Sequence, residues 1–299
     1  MRAIDQYRGL YLMLIPGVAY FLVYRYLPMF GLLIAFKDYN PSMGIIGIFT
    51  SKWVGFKNFF VLLGSSYIGD IIYNTVSISL LKILFGFPAP IILALLLNEL
   101  NNRLFKRLVQ TITYLPHFIS WVIIGGIIFE LLSSNGIVNT LIADMGGEKI
   151  AFLTNPSLFK PIVIISDVWQ NIGWGSIIYL AAISGIDPEL YEAATIDGAG
   201  KMQQMVSITI PSILSVILIM FILRLGSVLE AGFEQVFMLL NPLVLKTGDI
   251  IDTFVYREGL INARFGFATA VGLLKSAIGF VFILAANKLV KKLGHRGIV

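Results

Sequence analysis

Residues 208–229 carry a single charged side chain, Arg224, in a run otherwise built of apolar and small residues, and runs of this kind recur along the chain. About 20 apolar residues in a helix span the hydrocarbon core of a bilayer. In hydrocarbon every backbone N–H and C=O must find its partner within the protein, which leaves only helices or a closed barrel. The runs do not alternate apolar with polar residues, so helices are selected over barrel strands. The predicted spans are 10–36, 71–97, 111–132, 159–186, 208–229 and 265–288. Composition closes off a water-soluble globule: 57% of residues are hydrophobic and 13% charged, and that charged share is about half the usual one. The 299 residues are therefore expected to form one all-α membrane domain, 1–299.

Six crossings place both termini on one side. Arg103, Lys106 and Arg107 between spans two and three, with Lys288, Lys291, Lys292 and Arg296 at the end, assign that side to the cytoplasm. Within the first span, Arg25 lies late; snorkelling beside Tyr24 and Tyr26, with a kink at Pro28, accounts for it. A net charge of +5 invites nucleic acid, but the basic residues are scattered at helix ends rather than gathered in one stripe, so no nucleic-acid partner is expected. There is no cysteine, and His117 and His295 are the only histidines, so neither a thiolate nor an imidazole metal centre is expected. The outer loops, 37–70, 133–160 and 230–264, are rich in Gly, Pro, Asn and aromatics; Trp53, Phe56, Phe59 and Phe60 are consistent with a short interfacial helix or an aromatic belt.

The inner loop 187–207 carries more start-and-stop chemistry than a connector needs. Asp187 is a suitable N-cap, Pro188 suits the first helical position, and Glu189 favours the positive helix end. Glu192 heads a small-residue face of Ala193 and Ala194, while Gly198 and Gly200 permit a sharp turn into a second segment from Lys201 to Thr209. The result is a compact helix-turn-helix knob, net acidic through Asp187, Glu189, Glu192 and Asp197 against Lys201. Such a knob suits a groove on a soluble partner, or rests as an amphipathic connector on the headgroups.

The run Glu192-Ala193-Ala194, three residues to Gly198, then nine to Ile208-Thr209-Ile210-Pro211, resembles the E-A-A-x3-G-x9-I-x-L-P signature of type I ABC importer permeases. Only Ile210 departs, from the usual Leu. The resemblance extends over nearly the whole chain and narrows to the LplB-type, MalF-like permeases of complex-oligosaccharide uptake. It is carried by the blocks that open at Phe85-Gly86-Phe87-Pro88, Tyr114-Leu115-Pro116-His117 and Asp167-Val168-Trp169-Gln170, and by Gly232-Phe233-Glu234-Gln235-Val236-Phe237 with Asn241-Pro242. It implies a MetI-like fold in the bacterial cytoplasmic membrane, multi-pass, working with a second, MalG-like permease. It implies two ATP-binding-cassette ATPase subunits and an extracytoplasmic solute-binding protein as further partners, alongside membrane lipid. By the same resemblance Glu192, Ala193, Ala194, Asp197, Gly198 and Gly200 form the ATPase-coupling helix between spans four and five, and ATP and Mg are bound on partner subunits. The chain is then not an enzyme, and it has no G-x-x-x-x-G-K-[ST] phosphate loop.

Polar residues at membrane depth face bundle interiors or wet cavities. Trp169, Gln170, Asn171 and Trp174 in span four unite aromatic and amide groups, which suits a sugar; the same residues equally suit packing and helix gluing, with Gly173 and Gly175 allowing close approach. Arg224 fits either an anionic sugar such as a uronate or internal pairing with an acid such as Asp167, and pairing is the stronger expectation. Lys82 and Lys275 are further intramembrane cations with unassigned partners, and the loop 230–264 is an expected docking surface for the binding protein. An ion-gradient-driven secondary transporter is the rival function, but the carboxylate relay and paired broken helices it needs do not stand out. An intramembrane enzyme lacks a catalytic constellation.

Overall fold

The computed structural model describes residues 7–292, so Arg2, His295 and Arg296 lie outside the described residues. Among the described residues, five helical stretches are long and apolar enough to cross a membrane: Arg8–Phe36, Tyr67–Asn98, Trp121–Asp144, Lys201–Gly226 and Phe265–Leu284. A sixth long helix, Pro156–Ser184, has 29 residues and falls short of the others in apolarity because it carries Asp167, Gln170 and Asn171.

The first helix changes winding along its length. It is α-helical over Arg8–Phe21, opens into a π turn over Leu22–Tyr26 and tightens to a 3-10 helix over Leu27–Phe36. Pro28 stands where the winding changes, since it offers no N–H to the turn before it, and a wide turn lets the helix pass the gap. Arg25 lies in that wide turn, exposed together with Tyr24 and Tyr26.

The chain divides into two compact units, Met1–Ile68 with Phe254–Ser276 and Gly69–Thr253 with Ala277–Val299. In the first unit the aromatic segment is gathered on Phe36. The Phe36 ring stacks on Trp53 at 5.7 Å and meets Phe56 and Phe59 at 5.5 and 5.3 Å. The short helix Lys57–Leu63 follows, and Asn58 ties it back by donating to the Ala35 carbonyl at 2.8 Å.

In the second unit Pro156–Ser184 is the axis. Of its buried residues, Phe159, Val163, Ser166, Gln170, Gly173, Ser176, Tyr179 and Ile183 recur every three or four positions, one face of a helix, with Ile164 beside them. Gly173 brings the helix Arg103–Tyr114 against it: a side chain there would collide with the Thr113 backbone, and one at Gly175 would press into Pro90. Close approach through small residues is how membrane helices gain packing without a hydrophobic drive.

The stretch 111–132 is not one continuous helix. Arg103–Tyr114 ends in a 3-10 turn, Leu115–Phe118, then Ile119 is extended and Ser120 starts the helix Trp121–Leu132. Pro116 opens the break because it lacks the N–H that a continuous helix needs; Leu115 before it keeps α geometry, and the chain leaves the helix at Ile119. The segment after residue 230 also departs from an ordinary outer loop. It contains the helix Phe233–Leu239, with Gln235, Val236 and Leu239 buried, and Val236 and Leu239 join the apolar cluster around Phe159 and Val163.

Candidate functional site

Two places concentrate chemistry, and the first is the loop between Pro156–Ser184 and Lys201–Gly226. The helix Pro188–Ile196 is capped at both ends. Asp187 accepts a hydrogen bond from the Glu189 N–H at 3.0 Å, and Pro188 sits in the first turn, where its missing N–H leaves nothing unsatisfied. At the other end Gly198 takes φ +81. The Ala199 N–H reaches the Ala194 carbonyl at 2.8 Å and the Gly198 N–H the Thr195 carbonyl at 3.0 Å, a double closure that needs a left-handed residue and therefore glycine.

Gly200 then opens the next helical segment, Lys201–Gln204, which passes through a π turn at Met205–Thr209 straight into Ile210–Gly226. The second limb of the knob is thus continuous with a membrane-length helix rather than separate from it. Side chains cross-tie the limbs. The Tyr191 and Thr209 hydroxyls are 2.9 Å apart, and Gln204 donates to Thr195 Oγ1 and the Ala199 carbonyl at 2.9 and 3.0 Å. Lys201 pairs with Glu99 at 3.1 Å. Glu192, Ala193, Asp197, Gly198 and Gly200 are exposed and Ala194 half-buried, and Ile196, 87% exposed, presents an apolar side chain to the outside.

The second place is on the axial helix. Lys82, buried, pairs with Asp167 at 2.9 Å and donates to Gln235 Oε1. Gln235, fully buried, turns its amide the other way, donating to the Val163 carbonyl at 2.6 Å and Ser166 Oγ at 2.8 Å. Gly232, at φ +90, leads into this segment; a Cβ there would lie 2.6 Å from the lysine ammonium. Three chain segments far apart in sequence are thereby fastened by one ammonium, every polar member of the network partnered, as hydrocarbon demands. Asp167 is paired with Lys82; among the described residues Arg224 makes no ion pair with it, contrary to the pairing expected from the sequence.

Asp167, Asn171, Trp174 and Arg224 share one cavity of about 320 Å3 with Phe87 and Tyr179. Asn171 is held by Asp167, whose carbonyl accepts from its amide at 3.0 Å, and its Oδ1 lies 3.2 Å from His117 Nδ1. The His117 ring stacks on the Trp174 indole at 4.9 Å, nearly parallel. His117 was not singled out by sequence reasoning; its signal was the helix-breaking Pro116 beside it.

The other two candidates of the axial helix stand apart. Gln170 is buried and donates to the Ile119 carbonyl at 3.1 Å, so it satisfies the acceptor stranded where the helix breaks. Trp169 lines a separate, almost wholly apolar groove with Leu81, Phe85, Ile165 and Ile172, because two residues before Asn171 is about 200° away around a helix. Replacing Gln170 with leucine is expected to orphan that carbonyl at a cost of about 1–3 kcal/mol. Thermal unfolding of the purified protein in detergent should show a clear drop, and an unchanged midpoint would mean that another group satisfies Ile119.

The family model described as "binding-protein-dependent transport system inner membrane component" matches residues 86–295. YteP of Bacillus subtilis (strain 168), a polygalacturonan/rhamnogalacturonan transport system permease protein, is 48% identical over 294 residues, which is 98% of this chain and 91% of that protein. Protein LplB of the same strain is 44% identical over 299 residues, covering 100% and 93% of the two chains. A chain of a bacterial ABC transporter involved in the import of the acidic polysaccharide alginate superposes with a TM-score of 0.89 at 41% identity, over 97% of this chain and 98% of that one. In the bacterial alginate ABC transporter complexed with alginate pentasaccharide-bound periplasmic protein, the matching chain gives 0.89 at 40% identity, covering 99% of each.

Proposed function

The chain belongs to the family of binding-protein-dependent transport system inner membrane components, and from that premise we infer that it is the permease subunit of an ABC importer for an acidic oligosaccharide. The observation that carries the mechanism is the doubly capped, cross-tied knob at residues 187–209, a rigid exposed body continuous with a membrane-length helix. Glu192, Ala193, Ala194, Asp197, Gly198 and Gly200 form the seat for an ATPase subunit. ATP and Mg bind and react on the two partner ATPases, and this chain converts their closing and parting into motion of its helices.

The chain crosses the cytoplasmic membrane six times, Pro156–Ser184 included, with both termini inside. It makes one half of the pathway, and a second permease subunit makes the other. An extracytoplasmic solute-binding protein delivers the sugar. The acidic character of the cargo is supported by the relatives: alginate is named as acidic, and a polygalacturonan is likewise a polymer of uronate units. The cavity holding Asn171, Trp174 and Arg224 offers an amide, an indole and a cation, the groups that such a sugar needs.

Proteoliposomes containing the chain with its partner permease, ATPases and binding protein should take up oligogalacturonides only when ATP is inside the ATPase-bearing compartment. The chain alone should take up none under an ion gradient. Gradient-driven uptake by the chain alone would overturn this assignment.

A further inference from the structure

Arg224 is a cation at the end of a membrane-length helix, half-buried on the wall of the cavity beside Pro156–Ser184. The Asp167 carboxylate, the acid on the same wall, is engaged by Lys82 at 2.9 Å. Lys82 is in turn held in place by Gln235, itself fixed by Val163 and Ser166. The acid is therefore committed elsewhere, and among the described residues no salt bridge or side-chain hydrogen bond of the Arg224 guanidinium is present. With Lys82 and Asp167 cancelling, the three groups leave one net positive charge, carried by Arg224, which is within electrostatic reach of Lys82.

A half-buried guanidinium at membrane depth is expensive unless an anion meets it, and its planar fork matches a carboxylate. Around it stand an aromatic face, Trp174, backed by the stacked His117 ring, and an amide, Asn171, whose orientation is set by His117 and the Asp167 carbonyl. Sugar rings stack on indole and their hydroxyls pair with amides. We propose that Arg224 is the carboxylate-receiving, specificity-determining group of a uronate subsite in this cavity, with Trp174 and Asn171 receiving the ring and its hydroxyls. The proposal rests on the acidic-oligosaccharide assignment made above.

The test is equilibrium binding of labelled trigalacturonate and of its neutral methyl ester to the assembled transporter, without binding protein. The wild-type complex should prefer the acid by about tenfold or more, the loss equivalent to one charge-assisted contact. Arg224→Gln should bring the two ligands to equal affinity, and Arg224→Lys should keep part of the preference, as a point charge without the fork. Because both ligands are measured on one preparation, a partly misfolded variant lowers both signals and leaves the ratio intact, so a purely structural role would not move it. A wild type without preference, or an Arg224→Gln complex that keeps it, overturns the subsite while ATP-driven uptake of oligogalacturonides leaves the importer assignment standing. If the wild-type importer takes up no oligogalacturonide, the acidic-sugar assignment falls and the subsite with it.

Discussion

Gly198→Val in the complete importer is expected to reduce ATP-driven uptake at least tenfold, with the chain still inserted in the membrane. The physical cause is local. At φ +81 a β-branched residue is strained by about 1–3 kcal/mol, and the strain is relieved by unwinding the turn that closes Pro188–Ile196. That turn holds the Ala199 N–H on the Ala194 carbonyl, so the knob loses its shape at the point where the proposed ATPase seat needs it stiff. Glu192→Trp is the matched variant. Glu192 is exposed and supports nothing within its own helix among the described contacts, so the melting temperature should hold while uptake falls and ATP hydrolysis no longer responds to loaded binding protein. Full uptake with normal stimulation of hydrolysis in both variants would remove the coupling role from this loop.

Lys82→Met is expected to have the largest effect on stability. It strands the Asp167 carboxylate in the protein interior and takes the donor from Gln235 Oε1, and breaking a buried pair in this way costs about 3–5 kcal/mol. The double variant Lys82→Met with Asp167→Asn removes both charges and should recover most of the loss. The coupling between the two substitutions, read from thermal unfolding of the four combinations, measures the pair. Additive effects would mean that Lys82 and Asp167 act independently and that the network is not what fastens residues 232–239 to the axial helix.

Local chemistry was legible in the sequence, and distant pairing was not. Asp187, Pro188 and Gly198 announce a helix start and stop because capping is settled within a few residues, and the structure has those caps where the sequence puts them. The choice of Lys82 as the partner of Asp167 depends on how two helices 85 positions apart come together (167 − 82), and no local pattern encodes that. Arg224 was the partner expected, since both residues sit in apolar runs, and the buried Gln235, 153 positions from Lys82, gave no hint of its role. The compact set Trp169, Gln170, Asn171 and Trp174 illustrates the other limit. Neighbours in sequence point around a helix at about 100° per residue, so one member reaches an apolar groove, one a broken backbone, and two the shared cavity. The helix break at Leu115–Ser120 had a local sign in Pro116, overridden by the apolarity of the stretch around it.

The helix Lys201–Gly226 runs for 26 residues, about 39 Å at the usual rise, with the knob's second limb at one end and Arg224 two residues from the other. On the coupling proposed above it would serve as a push rod, a twist applied at Lys201 arriving at Arg224, with the π turn at Met205–Thr209 as a softer joint along the shaft. The stroke of the motor and the proposed grip on the cargo would then be geared together, and a loosened joint would let the motor spin without turning the grip.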